Sequence, residues 1–256
     1  MKLALLGDPV DHSRSPAMHQ AAMTELGIEG TYEARAVDRQ GLEKAFEDLR
    51  SGALDGANVT MPHKMAAARL CDELAEESAL TGVANTLIGG VRVVGALTDV
   101  HGIVAAGAAA GVDTDQPVLI LGSGGAAAAA LLAMRGRPVR VAARHPQHGG
   151  ELLERLDAPG EIAPWGIPWL GAVVVNATPL GMNGESLPDG VVEAASGFID
   201  LTYGASPTPA VELARSLDIP TADGLSVLAH QGAKSLELWT GLEAPIELME
   251  SVARGQ

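Results

Sequence analysis

Aromatic residues and cysteine are both scarce in this sequence. Phe, Trp and Tyr together make up 3% of the 256 residues, while there are 31 glycines. The core must therefore be built from small aliphatic side chains, which suits helices packed closely on a sheet. Cys71 is the only cysteine, which excludes an internal disulfide bond and a cysteine-rich metal site. We therefore predict no metal ion.

Long apolar segments are also missing. The first apolar run, residues 3–6, is followed at once by Gly7 and Asp8 and is too short for a signal peptide. The longest run of small residues, 102–111, is too short to span a bilayer. The sequence therefore predicts a cytoplasmic protein without a membrane partner.

Basic residues are outnumbered by acidic ones, 17 to 32, which gives a formal net charge of −15. A body this acidic is repelled by phosphate backbones, so we predict no nucleic-acid partner. Hydrophobic residues make up 47% and charged residues 19% of the chain. These fractions are typical of a globular protein that can bury a core of its own.

Short aliphatic runs alternate with helix-length amphipathic segments, which is typical of an α/β protein. We predict strands over 2–6, 31–37, 56–60, 86–88, 92–96, 118–121, 139–143, 173–176 and 198–201. We predict helices over 16–26, 40–51, 64–79 (with an interruption), 99–110, 124–135, 207–216, 225–240 and 244–253. The first helix is expected to take Ser15 as its N-cap, with Pro16 at its first position.

A glycine-rich turn joins the predicted strand 118–121 to the following Ala-rich helix. Gly122, Gly124 and Ala127 fit the pattern G-x-G-x-x-A. The first glycine permits a tight turn, the second lets a pyrophosphate approach the backbone, and the alanine lets the helix pack closely on the sheet. An ordinary strand–helix turn would also explain the glycines, but the flanking strand and helix favour a nucleotide site.

The strand after this turn ends at Arg144, where an NAD-selective site usually has Asp or Glu for the ribose 2′-hydroxyl. Arg135, Arg137 and Arg140 lie just upstream. A local excess of arginine in an acidic protein suits a 2′-phosphate and predicts NADP. For Arg135 and Arg137 the alternative remains that they only cap a helix and a strand edge.

Hydroxyl, amide and charged residues form three clusters in the first hundred residues. Ser13 and Ser15 open a helix, where two hydroxyls and free N–H groups can hold a carboxylate. A plain helix cap would explain Ser15 but would leave Ser13 without a role. The second cluster is Asn58-Val59-Thr60-Met61-Pro62-His63-Lys64, and the third pairs Asn85 with Asp99. Taken singly, each of these residues has an ordinary structural explanation.

Taken together, the patterns S-x-S, N-V-T-x-P-x-K, A-N-T-L, T-D, G-x-G-G-A and N-A-T-P-x-G-M closely resemble the shikimate dehydrogenase family. The resemblance covers nearly the whole chain in order. It continues through 200–203, 223–225, 231–233 and 239–241.

The resemblance implies a two-domain α/β fold with a cleft between the domains. An N-terminal α/β substrate-binding domain would comprise 1–98 and 237–256, and a Rossmann-type nucleotide-binding domain would comprise 99–236. The implied activity is the reversible, NADPH-dependent reduction of the C3 ketone of 3-dehydroshikimate to shikimate, a step of aromatic amino acid biosynthesis. The cofactor would be NADP, with NAD as a weaker alternative, and the partner a small alicyclic hydroxy acid. We expect a monomer or a homodimer.

The resemblance also assigns roles to individual residues. Lys64 and Asp99 would be the catalytic pair. Substrate binding would fall to Ser13 and Ser15 for the carboxylate, to Asn58, Thr60, Asn85 and Gln231 for ring hydroxyls, and to Tyr203, which would close the site. The cofactor would be lined by Gly122, Ser123, Gly124, Gly125, Ala126, Arg144, Thr178, Leu201 and Gly224.

Two stretches depart from the family pattern. The family's G-D-N-T-D-G is replaced here by a segment with Leu97 in place of Asn and with Val100 and His101 after the aspartate. A dehydrogenase for quinate or an aminoshikimate-type acid is therefore an alternative. A second alternative is a non-catalytic ligand sensor, although a sensor would need neither Lys64 nor Asp99. Because Arg144 is followed by His145 instead of a stronger base, we expect a modest preference for NADP.

Overall fold

The computed structural model describes residues 1–113, 115–204 and 207–256. The chain forms two compact units, one from Met1–Thr98 with Leu228–Gln256 and the other from Asp99–Val227. Each unit contains one six-stranded sheet with helices. The predicted α/β fold class is thereby confirmed.

The elements are numbered along the chain. The strands are β1 Lys2–Gly7, β2 Thr31–Ala36, β3 Gly56–Val59, β4 Glu73–Leu74, β5 Thr86–Ile88, β6 Val94–Ala96, β7 Val118–Leu121, β8 Val139–Ala142, β9 Glu161–Ala163, β10 Val173–Asn176, β11 Gly197–Asp200 and β12 Thr221–Ala222. The helices are α1 Ser15–Glu25, α2 Arg39–Ser51, α3 Lys64–Leu70, α4 Glu76–Thr81, α5 Thr98–Ala109, α6 Gly125–Ala133, α7 Pro146–Arg155, α8 Pro209–Ser216, α9 Gly224–Thr240 and α10 Ile246–Arg254.

The sheet of the first unit has the strand order β2-β1-β3-β5-β6-β4. Strand β1 is parallel to both of its neighbours, whereas β5 is antiparallel to β3 and β6. Leu6, Phe46, Leu49 and Leu87 are almost fully buried in its core. Helix α9 lies against this sheet, where the indole N–H of Trp239 donates to the Leu87 carbonyl at 2.9 Å. This packing fixes the helix that carries Gln231.

The sheet of the second unit has the order β12-β11-β10-β7-β8-β9, and every pair of neighbours is parallel. Numbered within the unit, this is the order 3-2-1-4-5-6 of a doubly wound dinucleotide-binding fold. The strand order changes direction between β7 and β10, and ligands of such sheets bind outside the carboxyl ends of the strands at that point. The Rossmann-type fold expected for this part of the chain is present.

The bounds assigned above to the substrate and nucleotide domains remain a prediction. In the structure the compact units change at 99 and at 228. The second change falls inside helix α9, in which the expected boundary at 237 also lies. Because α9 continues from one unit into the other, the sequence has no break in composition that would mark this boundary.

The predicted N-cap of the first helix was wrong. Helix α1 already includes Ser15, and Arg14 occupies the N-cap position without a side-chain capping bond. The hydroxyl oxygen of Ser13 instead accepts the N–H of Ser15 at 3.2 Å. The helix therefore starts one residue earlier, because Ser13 takes up one of the N–H groups that a helix start leaves unpaired.

The interruption predicted within 64–79 is a short strand, β4, which separates helices α3 and α4. Helix α7 was not predicted, because Gly149 and Gly150 lower the helix propensity of its sequence. In the structure Leu152 and Leu153 are buried on one face of α7. Tertiary packing of this face offsets the unfavourable glycines.

Within the described part of the chain, none of the helices combines the length and the apolar composition that a bilayer crossing requires.

Candidate active site

The hydroxyls predicted to hold a carboxylate lie at the start of α1. Ser15 is buried at 5% exposure and Ser13 is half-buried. Because the Ser13 oxygen accepts the Ser15 N–H, its own hydroxyl hydrogen is directed elsewhere and can be donated to an anion. The two serines thus combine a donor hydroxyl with a helix start.

Lys64 begins helix α3 directly after a tight turn. Strand β3 ends before Thr60, whose carbonyl accepts the N–H of His63 at 3.0 Å. The carbonyl of Lys64 accepts the N–H of Ala84 at 3.1 Å, next to Asn85 in the chain. Thr60, Lys64 and Asn85 are thus carried by adjoining backbone segments, and Lys64 and Thr60 are half-buried.

Asn85 joins the segment before β5 to helix α9. Its Oδ1 accepts the backbone N–H of Thr98 at 2.7 Å. Its Nδ2 donates to the Thr98 hydroxyl at 3.0 Å and to Oε1 of Gln231 at 2.7 Å. Two predicted substrate residues that are 146 positions apart in the sequence, Asn85 and Gln231, are therefore hydrogen-bonded to each other.

Asn58 is 5% exposed and both ends of its amide have partners inside the first unit. Its Oδ1 accepts the Tyr32 hydroxyl at 2.8 Å. Its Nδ2 lies 2.9 Å from the Ser235 hydroxyl, 3.1 Å from that of Thr86 and 3.1 Å from the Asn85 carbonyl. The amide of Asn58 is thus held by protein groups.

The glycine turn of the second unit forms a cradle between β7 and α6. Gly122 has φ +116°, and a Cβ there would lie 2.7 Å from the Ala177 carbonyl oxygen. Gly124 is the N-cap of α6 and borders open space. Ser123, Gly125 and Ala126 are half-buried around it. The unpaired N–H groups at the start of α6 suit a phosphate.

The other predicted cofactor residues follow strands at this same edge of the parallel sheet. Arg144 follows β8, Thr178 follows β10, Leu201 follows β11 and Gly224 follows β12. The sheet therefore brings together residues that are spread over about a hundred positions of sequence. Arg144 is exposed, as a residue that binds a terminal phosphate would be.

Arg140, one of the arginines upstream of Arg144, has a structural role in the second unit. Its guanidinium donates to Glu161 at 3.0 Å and lies 4.2 Å from the ring centroid of Trp169. It sits near the beginning of β8, whereas the glycine turn follows the end of β7. The ion pair and the cation–π contact account for Arg140 without a nucleotide.

A buried polar network supports Thr178. Asn176 accepts both the N–H and the hydroxyl of Thr178 on Oδ1, at 3.1 and 2.7 Å, and donates to Asp200 at 2.9 Å. Asp200 is fully buried and also accepts from the N–H of Thr202 and the hydroxyl of Thr208. Burial raises the pKa of Asp200 to about 6, against the lowering effect of these hydrogen bonds.

Asp99 and Tyr203 are the remaining predicted site residues. Asp99 is half-buried in the first turn of α5, and Tyr203 is half-buried beyond β11. Of the two departures from the family pattern, Leu97 is 4% exposed whereas His101 is exposed. Leu97 is therefore a core residue of the first unit.

Several residues of these networks were assigned no role from the sequence, although four of them lie within the patterns quoted above. They are Tyr32, Thr86, Thr98, Asp200, Thr202, Thr208 and Ser235. The helical spacing could have indicated Ser235, which follows Gln231 by four residues and so lies one turn further along α9. In the part of the chain that the structure describes, no three or more His, Cys, Asp and Glu side chains cluster as metal ligands would.

Family models match both ends of the chain. The model described as the shikimate dehydrogenase substrate binding domain matches residues 5–87. The model described as the shikimate 5'-dehydrogenase C-terminal domain matches residues 224–254. Both matches agree with the family indicated by the sequence patterns.

Relatives are similar over nearly the full length. A shikimate dehydrogenase (NADP(+)) of Archaeoglobus fulgidus is 37% identical, with 98% of this chain and 97% of the relative covered. One of Methanocella arvoryzae is 36% identical, with 98% and 97% covered.

A solved structure agrees with the same assignment. The shikimate 5-dehydrogenase of Thermus thermophilus, in complex with NADP(H) and shikimate, superposes with a TM-score of 0.91 at 35% identity, covering 100% of this chain and 99% of that one. On these similarities in sequence and fold, the chain belongs to the shikimate dehydrogenase family.

Proposed function

We propose that this protein is an NADP-dependent oxidoreductase that reversibly reduces 3-dehydroshikimate to shikimate, a step of aromatic amino acid biosynthesis. The observation that carries the proposal is the full-length similarity, at 36–37% identity, to relatives named shikimate dehydrogenase (NADP(+)).

The residues at the carboxyl edge of the second sheet fit NADP. A Cβ at Gly122 would collide with the Ala177 carbonyl oxygen, whereas Gly124 borders open space. The start of α6 offers N–H groups to the pyrophosphate. Arg144 suits a 2′-phosphate, and no Asp or Glu lies between 142 and 150 to accept a bond from a 2′-hydroxyl. When bound, the cofactor supplies or accepts the hydride.

The substrate would be held mainly by residues of the first unit. Ser13 and Ser15 would bind the carboxylate at the start of α1. Ring hydroxyls would be bound by Thr60, Asn85 and Gln231, and Tyr203 would close the site. Asn58, expected from the sequence to bind them too, has its amide held by protein groups and would support the site from within the first unit. Within this proposal, residues 1–98 and 237–256 form the substrate domain and 99–236 the NADP domain.

Lys64 and Asp99 would carry the acid–base chemistry. As hydride adds to the ketone carbon, negative charge develops on the ketone oxygen. The Lys64 ammonium stabilises this charge, and the Lys64–Asp99 pair supplies the proton. Asp99 accepts a hydrogen bond from a substrate hydroxyl and orients the reacting group. In the oxidation direction the same groups take up the proton.

A substrate panel tests the proposal. Purified protein is mixed with shikimate, quinate or an aminoshikimate-type acid and either NADP⁺ or NAD⁺, and the absorbance of the reduced nicotinamide is followed. We expect shikimate with NADP⁺ to react fastest and quinate more slowly. No signal with shikimate but a clear one with another acid would assign the enzyme to that acid, and binding without turnover would indicate a sensor.

The apolar Leu97 and the exposed His101 are the observations that keep the quinate-type alternative in this panel. We also propose that the protein is a cytoplasmic monomer or homodimer. Its net charge of −15 supports the further proposal that it has no nucleic-acid partner. Sedimentation measures the oligomeric state.

A further inference from the structure

Two chains of hydrogen bonds in the first unit end on Gln231. We propose that Tyr32, Asn58 and Ser235 are positioning residues, which together with Asn85 fix Gln231 so that its Nε2–H groups point to the ligand. This inference rests on the proposed function, in which Gln231 binds a ring hydroxyl. Neither the family resemblance nor the comparisons assign a role to Tyr32 or Ser235.

The first chain sets the orientation of the two amides. A backbone N–H can only donate, so the Thr98 N–H at 2.7 Å requires an oxygen, Oδ1, at that end of Asn85. The other end, Nδ2, then faces Gln231 at 2.7 Å and requires Oε1 there. Gln231 is left with Nε2, which carries two donor hydrogens and no acceptor.

The second chain holds the backbone of Gln231. A carbonyl can only accept, so the Ser235 hydroxyl donates to the Gln231 carbonyl at 3.0 Å. The Ser235 oxygen is then an acceptor for Nδ2 of Asn58 at 2.9 Å. Asn58 is oriented in turn by the Tyr32 hydroxyl, which donates to its Oδ1 at 2.8 Å.

The hydroxyls of Thr86 and Thr98 connect the two chains of hydrogen bonds. Thr86 lies 2.8 Å and Thr98 lies 3.1 Å from the Ser235 oxygen, and the two threonine hydroxyls are 3.1 Å apart. Ser235 and Thr86 are fully buried, and Thr98 is 3% exposed. Water therefore cannot replace a missing partner, and the loss of one hydroxyl leaves several buried groups poorly paired.

The arrangement predicts the chemistry that Gln231 recognises. With Oε1 committed to Asn85, the residue binds an oxygen that accepts a hydrogen bond, such as a hydroxyl or carbonyl oxygen of a polar ring. The buried network thus directs the donor end of Gln231 to the ligand, whereas a glutamine side chain by itself can present either its donor or its acceptor end.

The test compares Ser235→Ala with Ser78→Ala. Both serines are fully buried in the first unit, but the Ser78 hydroxyl has no hydrogen-bond partner among the described residues. The loss of one net hydrogen bond corresponds to a factor of about 3–10 in binding. We expect Ser235→Ala to raise KM for shikimate by about that factor, with KM for NADP within about twofold of wild type. Ser78→Ala should leave both constants unchanged.

Tyr32→Phe is the second variant, since it removes only the hydroxyl at the far end of the chain. We expect a smaller rise in KM for shikimate, with kcat changed less than KM. A purely structural role would lower the active fraction, and so kcat, at constant KM, and this result in both variants would overturn the inference. An inactive wild type would instead refute the proposed function, and the inference with it.

Discussion

In the proposed reaction, charged side chains and hydrogen-bonding side chains have separate roles. Lys64 is one of only four lysines in the chain, and it follows a turn that ties it to the segment bearing Asn85. Arg144 follows β8 and is exposed, while Arg140 is engaged by Glu161 and Trp169. Each cation can therefore be tested by itself.

Lys64→Ala is expected to lower kcat by roughly 10²–10⁴-fold, the usual contribution of a positioned acid or base. KM for shikimate should change less, because the serines of α1 and Gln231 still bind the ring. Steady-state kinetics of the purified variant measures both constants. Lys44→Ala, on the exposed face of α2, is the control and should behave as wild type. A fall in affinity at unchanged kcat would make Lys64 a binding residue only.

Arg144→Ala is expected to lower kcat/KM for NADP by roughly 10–100-fold and to leave NAD almost unaffected. The reason is that a guanidinium forms charge-assisted hydrogen bonds to a 2′-phosphate, which NAD lacks, and each contributes about 1.5–3 kcal/mol before competition by water. The measurement is kcat/KM with both cofactors. Arg155→Ala, in the last turn of α7, serves as the control. Equal losses with both cofactors would mean that Arg144 acts on the fold or the adenine.

Among the helices and strands, α9 contributes most directly to the proposed substrate site. It carries Gln231 and Ser235, and its Trp239 lies against the first residue of β3, Gly56. A Cβ on Gly56 would collide with the indole nitrogen and lie 2.7 Å from Cδ1 of Trp239. The contact between this glycine and tryptophan therefore locates α9 on the sheet.

Gly56→Ala is expected to lower the free energy of unfolding by about 1–3 kcal/mol, the usual cost of overpacking a well-packed site. The displaced indole would also lose its bond to the Leu87 carbonyl. Urea unfolding followed by circular dichroism gives this value. Gly150→Ala is the matched control, because a Cβ there meets no atom within 4 Å and α7 gains helix propensity. A neutral Gly56→Ala variant would show that α9 shifts without cost.

The order of the helices and strands along the chain was largely predictable from the sequence. Buried runs such as 118–121 and 173–175 are fully apolar and lie in strands of a parallel sheet, which their sequences indicate directly. The start of α1 was misplaced because Ser13, not Ser15, supplies the capping oxygen. Helix α7 was missed because its stability depends on packing and not on propensity.

For the whole molecule, two buried groups contribute to the dependence of stability on pH, with opposite effects. Burial lowers the pKa of His19 to about 3, so protonation of the unfolded chain destabilises the fold as the pH falls below about 6.5. Burial raises the pKa of Asp200 to about 6. Native Asp200 keeps its proton where the unfolded chain has released it, so its contribution is full below about pH 4 and is lost as the pH rises through about 6.

Asp200→Asn isolates the second effect. The difference in unfolding free energy, wild type minus variant, is expected to fall by about 2 kcal/mol between pH 4 and pH 7, since one pKa unit corresponds to about 1.4 kcal/mol and the unfolded Asp is already partly ionised at pH 4. Urea unfolding at intervals across this range measures it, and the contribution of His19 cancels in the difference. A difference that stays constant with pH would show that Asp200 titrates normally in the folded protein.

The sequence by itself determined the family, the α/β class, the cofactor type and the candidate residues, because each depends on residue types at fixed spacings along the chain. Tertiary structure alone decided which of those residues touch. Asn85 and Gln231 meet because strand β5 and helix α9 pack in one unit, and nothing in their local sequences specifies that contact. The same packing brings Tyr32, Thr86 and Ser235 into one buried network, since hydrogen bonds between distant segments form only when the fold excludes water from them.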